Sequence, residues 1–216
     1  MSAYGNKLIN GLSSLFLIVS ISATACASGE VAKDPGGGAQ VINQTVKTGD
    51  RFEELLVDIR SYSTNGAFYQ KKYHRDILSI ARDITEKEDI DISKGSVGFY
   101  YDKKSERRDR LFFGFDIIVK KDNDLDYGRF AVKLIKQNVS GIIDEIYKYR
   151  FVPSEEEVVG VVIGFRWTED NRNQQVNIWI KKDDISLFQE DRITVNEMYQ
   201  RGTVTNTNGR VILLPI

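Results

Sequence analysis

Between Val159 and Trp167 the chain alternates: Val159, Val161, Ile163, Phe165 and Trp167 are large and apolar, and Gly160 and Gly164 stand among the residues between them. A side-chain period of two belongs to an extended strand with one buried face. The same period runs through Val97, Phe99 and Tyr101, through Leu111, Phe113, Phe115, Ile117 and Val119, and through Val176, Ile178 and Ile180. The charged link from Lys103 to Asp109 and the polar turn from Thr168 to Asn173 join these runs into two hairpins. Each hairpin keeps one strongly apolar face, as expected when helices cover one side of an antiparallel sheet.

A second period, near 3.6, supplies the helices. Phe52, Leu55, Leu56 and Ile59 predict a helix over 51–62 with Asp50 as its cap, and Ser63 to Gly66 predicts a break. Tyr69, Tyr73, Ile77, Ile80 and Ile84 predict a longer helix over 67–87. Phe130, Leu134, Ile135, Val139, Ile142, Ile146 and Tyr149 predict another over 126–149, closed by Pro153. Asn208-Gly209 suits a two-residue type I′ turn and predicts a last hairpin joining 203–207 to 210–214. The expectation is one α+β domain over 51–216. It has two layers, an antiparallel sheet of hairpins with helices on one face, in the order αα-ββ-α-ββ, then a charged segment and the closing hairpin.

The first thirty residues follow different rules. Lys7 and the amino terminus are positive, Leu15 to Ile21 is mostly apolar, and Ser22 to Ala25 is small. That order is a secretory signal, and its apolar run falls short of the roughly 20 residues of a spanning helix. Ala23-Thr24-Ala25-Cys26 resembles the lipobox of bacterial lipoproteins, in the relaxed form found in spirochaetes, with Ala23 where leucine is commonest. The resemblance implies a signal peptide over 1–25, acylation of Cys26 and a flexible tether over 26–50. With Ala27 after the cysteine, it also implies transfer to the outer membrane. Cleavage after Ala27 is the alternative and releases a soluble periplasmic protein. Cys26 is the only cysteine, so no disulfide forms within the chain. A tether of this length reaches roughly 25–30 Å.

Composition excludes more than it assigns. Thirty basic against 31 acidic side chains give a formal charge of −1, which offers nucleic acid no electrostatic attraction. His74 is the single histidine, which rules out a multi-histidine metal site. Asp122, Asp124 and Asp126 open like a calcium loop, but Tyr127 and Lys133 stand where glycine and glutamate belong, so a helix start is the expectation. The acidic runs Glu86 to Asp89 and Glu155 to Glu157 read as solvated element ends. No catalytic residue, metal site or cofactor is assigned. The unusual feature is four glycines, Gly98, Gly114, Gly160 and Gly164, on the sheet face opposite the apolar one. With Tyr100, Phe112 and Trp179 at its edges, this face predicts a shallow trough for a partner segment or an apolar ligand. Local twist is the structural alternative. The expected function is a membrane-anchored envelope lipoprotein acting on a protein partner as a non-enzymatic assembly or accessory factor. A carrier or sensor of an apolar ligand, and a wall- or polysaccharide-acting enzyme, are the alternatives.

Overall fold

The computed structural model describes residues 51–61, 64–101 and 110–216. The signal peptide, Cys26, the tether, the Asp50 cap and the 103–109 link lie outside the described residues.

The described body is α+β, built on a five-stranded open sheet. Helices α1 (Thr64–Lys72) and α2 (His74–Lys87) precede strands β1 (Gly98–Tyr101) and β2 (Leu111–Ile118). Then come α3 (Tyr127–Tyr147), α4 (Phe151–Ser154), β3 (Val158–Glu169), β4 (Arg172–Lys181), α5 (Lys182–Gln189), α6 (Val195–Arg201) and β5 (Thr203–Asn206). Strand order in space equals strand order in sequence. The two expected hairpins are present, with Gly98 opposite Gly114 in the first and Ile163 opposite Ile178 in the second. The sheet is mixed, because β2 and β3 run parallel. The reason is the connection: α3 and α4 carry the chain back across the sheet before β3 starts, and such a crossover leaves two strands pointing the same way.

The apolar period of each strand faces the helices. Phe113, Phe115, Ile163, Phe165 and Ile178 share one core with Ile77, Ile80 and Ile84 of α2, Ile135, Ile142 and Ile146 of α3, and Met198 of α6. Phe112 and Val162, on the other sheet face, are buried but stand apart from that core. The two-layer arrangement follows, with helices on one side.

Four local expectations give way to tertiary structure. Where a helix is expected over 51–62, the described residues 51–61 form two short 3₁₀ turns, Glu53–Leu55 and Ile59–Ser61. The backbone between them pairs with Val97 instead: Val57 N–H donates to the Val97 carbonyl at 2.9 Å and Val97 N–H to the Leu55 carbonyl at 2.8 Å. The long helix expected over 67–87 starts earlier, at Thr64, and is broken at Tyr73 (φ −107°, ψ 20°). There the Tyr73 ring stacks on Phe151, with centroids 4.9 Å apart. The charged segment after β4 is two helices. Helix α6 begins with a capping box, in which Thr194 and Glu197 each bond the other's backbone N–H. The closing hairpin returns as a single bridge, Thr205 to Val211, and only β5 becomes a strand. Its turn closes at Asn206 to Gly209 and places the left-handed residue at Gly209 (φ +69°), a type I turn with a glycine after it. The two-residue turn with both central residues left-handed lies elsewhere, at Asp170 (φ 49°) and Asn171 (φ 60°) between β3 and β4.

Candidate functional site

The sheet face away from the helices carries an apolar half and a polar half. In the apolar half, the Phe112 ring meets Trp179 edge-on, with centroids 5.1 Å apart. Gly160 lies directly beneath: a Cβ there would stand 2.8 Å from the Phe112 ring and 2.1 Å from the Ile180 carbonyl oxygen. Gly114 is pressed as closely by Val162, whose carbonyl oxygen would lie 1.8 Å from an added Cβ. Gly98 sits opposite Gly114, and Tyr100 opposite Phe112. The hydroxyl of Tyr100 donates to the Ser96 carbonyl. The trough residues therefore do share one face. The space that glycine opens at 114 and 160 is filled by the protein's own neighbouring groups.

At Gly164 the same device seats a charge. An added Cβ there would stand 2.0 Å from Asp116 Oδ1 and 2.7 Å from Asn177 Oδ1. Asp116 is buried, and its oxygens are held by Arg166 at 2.6 Å and by Gln175 Nε2 at 3.0 Å. Gln175 Nε2 also donates to Asn177 Oδ1 at 2.6 Å. Asn177 Nδ2 and Trp179 Nε1 both donate to Thr205 Oγ1, at 3.3 and 3.2 Å. A chain of polar contacts thus crosses β3, β2, β4 and β5 and joins Arg166 to the aromatic half of the face. Burial pushes the Asp116 carboxyl above its ordinary value, and the Arg166 guanidinium opposes that shift. Such a network holds its members in one geometry when each polar atom is matched.

Arg166 opens onto a cleft of about 660 Å³ at the carboxyl ends of β2 and β3. Ser93, Ile118, Lys120, Gln174, Gln175 and Thr207 are among its walls. The volume falls within the range of small-ligand sites. Lys121, also on its wall, is committed to the loop that follows β2: it donates to the carbonyls of Asp122 and Leu125 and lies 3.5 Å from Glu169. None of the seven trough residues lines the cleft, which continues the same face beyond Gly164.

Several of the remaining charged candidates have structural partners. His74 Nε2 lies 2.9 Å from Glu53 Oε1 on the exposed side. Asp126 caps α3 by accepting from the Arg129 N–H, and Asp122 accepts from the Asp124 N–H and from Lys133. Glu86 pairs with Arg51, and Glu155 with Lys72 and Tyr73. Lys72 and Tyr73 hold the Glu155 carboxyl below its ordinary value. Among the described residues, no group of three or more His, Cys, Asp or Glu is placed to hold a metal ion. No described helix is long and apolar enough to cross a membrane.

No protein-family model matches the chain, and neither a curated protein nor a solved structure is detectably similar to it. The site rests on its own geometry.

The pattern of apolar residues does not single out Asp116, Arg166, Gln175, Asn177 and Thr205. One signal was available: Asp116 is the only charged residue in Leu111–Ile118, a strand otherwise made of apolar residues and glycine. An acid so placed needs a buried partner.

Proposed function

We propose that this chain is an envelope lipoprotein, cut before Cys26 and held at the outer membrane by acyl groups on that cysteine. Its folded body is a non-enzymatic binding factor for a protein partner of the envelope, in an assembly or accessory role. The observation that carries the binding part of this reading is the sheet face on which none of the described helices packs. It carries a cleft walled by the half-exposed Arg166, a charge network beside that arginine, and Trp179 packed edge-on against the buried Phe112. Rigid aromatic and arginine anchors surrounded by polar groups are the usual makings of a binding surface. Of the acidic residues that a hydrolase would draw on, Asp126 caps a helix and Glu86 and Glu155 are held in ion pairs. The apolar-ligand reading has less support, because Phe112 and Val162 themselves fill the space over Gly160 and Gly114.

Two experiments test the two parts. Labelled palmitate should enter the wild-type protein and not Cys26→Ser; equal labelling, or none in either, removes the anchor. A photo-crosslinking residue at Gln174, on the cleft rim, should give a heavier adduct in intact cells. One at Glu86, on α2, should not. Absence of the adduct, or the same adduct from both positions, removes the docking surface.

A further inference from the structure

We infer that the cleft beside Arg166 is a receptor for a single carboxylate, of the kind that ends a peptide. This rests on the reading of the sheet face away from the helices as a binding surface and names the chemistry it takes.

Arg166 is oriented from behind. Its Nη2 lies 2.6 Å from Asp116 Oδ2, Asp116 is in turn held by Gln175, and the absence of a side chain at Gly164 is what gives Asp116 its seat. The Arg166 side chain remains 49% exposed and lines the cleft, whereas the Asp116 side chain is only 12% exposed. The carboxylate thus sets the direction of the guanidinium without filling the cleft itself. A planar fork anchored at one nitrogen in this way can accept a second carboxylate through its remaining donors.

Charge balance selects the ligand. Of the three cations on the wall, Arg166 is matched by Asp116 and Lys121 lies against Glu169. Lys120 is exposed and has no partner among the described residues, so the cleft carries one net positive charge. Ile118 pairs with Arg166 in register, and Lys120, two residues past the end of β2, lines the same cleft. One net charge suits a monoanionic carboxylate better than a phosphate dianion. The rest of the wall suits what a carboxylate is attached to. Asn173 and Gln174 supply amides for a backbone, and Ile118, half-exposed beside Arg166, supplies an apolar contact. Capture of a C-terminal carboxylate is an established mode of peptide recognition, and the arginine fork matches a carboxylate in geometry.

The test uses the intact ¹⁵N-labelled protein in detergent micelles, titrated with N-acetyl-trialanine, its C-terminal amide, propionate and inorganic phosphate. N-acetyl-trialanine should shift the amide resonances of 118–121, 166–168 and 173–175 in a saturable way, and the amide should leave them in place. Lys120→Glu, an exposed change that leaves the fold intact, should weaken binding roughly tenfold, and Arg166→Gln should abolish it. Propionate binding as tightly as the tripeptide assigns the cleft to small free acids; tighter binding of the tripeptide assigns it to chain ends. Both support a carboxylate receptor. Equal shifts from acid and amide, phosphate binding more tightly than either acid, no saturable shift, or full binding by Lys120→Glu would each overturn it. Should the Gln174 crosslink persist while the carboxylate titration fails, the partner-binding reading stands and only the ligand class falls.

Discussion

Replacing Gly164 with alanine adds one methyl group at the point on which the site depends. The new Cβ would stand 2.0 Å from Asp116 Oδ1, 2.7 Å from Asn177 Oδ1 and 3.1 Å from Asp116 Cγ, where ordinary contact begins at 3.4 Å. The Asp116 carboxylate must therefore retreat by more than an ångström. Its contacts with Arg166 at 2.6 Å and Gln175 at 3.0 Å cannot both survive that movement. A hydrogen bond to a buried charge contributes about 1.5–3 kcal/mol, and overpacking strain costs about 1–3 kcal/mol. Two terms reduce the total: the half-exposed Arg166 makes its ion pair worth less than ~1 kcal/mol, and removing a glycine from a strand regains roughly 0.5–1 kcal/mol. A net loss of about 2–4 kcal/mol is expected, read from the urea midpoint of equilibrium unfolding followed by tryptophan fluorescence. The decisive control is the same substitution in an Asp116→Ser background. With the carboxylate gone, most of the penalty should vanish, giving a coupling of roughly 1–3 kcal/mol. A loss below ~0.5 kcal/mol, or equal losses in the two backgrounds, refutes the steric reasoning.

Other outcomes follow from the same structure. Gly114→Ala should destabilise more than Gly164→Ala in the same assay, because its Cβ meets the Val162 backbone oxygen at 1.8 Å and a backbone carbonyl cannot rotate away. The Asp116 carboxyl is raised above its unfolded value, so the native state retains a proton that the unfolded chain has lost. Its contribution to stability should therefore fall as pH rises from the ordinary carboxylate value to the raised one, and Asp116→Asn should flatten that decline in pH-resolved unfolding. The Glu155 carboxyl shifts the opposite way, lowered first by Lys72 and then by Tyr73. Its stabilisation is present above the ordinary glutamate value and is lost as pH falls through the lowered one, so Glu155→Gln should remove part of the acid-side loss in the same measurement. Thr194→Ala breaks the α6 capping box and should cost about 1 kcal/mol, with faster amide exchange over Val195–Arg201. Asn171→Val places a β-branched residue at φ 60° and should destabilise by roughly 1–2 kcal/mol in thermal or urea unfolding.

Side-chain periodicity by itself determined where the strands lie, which of their faces is apolar, and that helices cover that face. These follow from local geometry, because a period of two or of 3.6 decides which side chains can be buried together. It also marked the aromatic and glycine positions of the opposite face. Tertiary structure decided the rest. Leu55 to Val57 have a helical pattern, but their backbone pairs with Val97, a partner forty residues away whose hydrogen bonds outweigh a weak local propensity. Asn208-Gly209 is the stronger turn signal on paper, yet the tight left-handed turn forms at Asp170-Asn171, where ten register pairs of β3 and β4 leave only two residues to reverse the chain. The site shows the same division. That Gly164 lacks a side chain is plain in the sequence, whereas what occupies the space is fixed by pairing. Parallel register sets Asp116 opposite Gly164, and antiparallel register brings Asn177 to its other side, so a carboxylate and an arginine fifty residues apart meet at the mouth of one cleft.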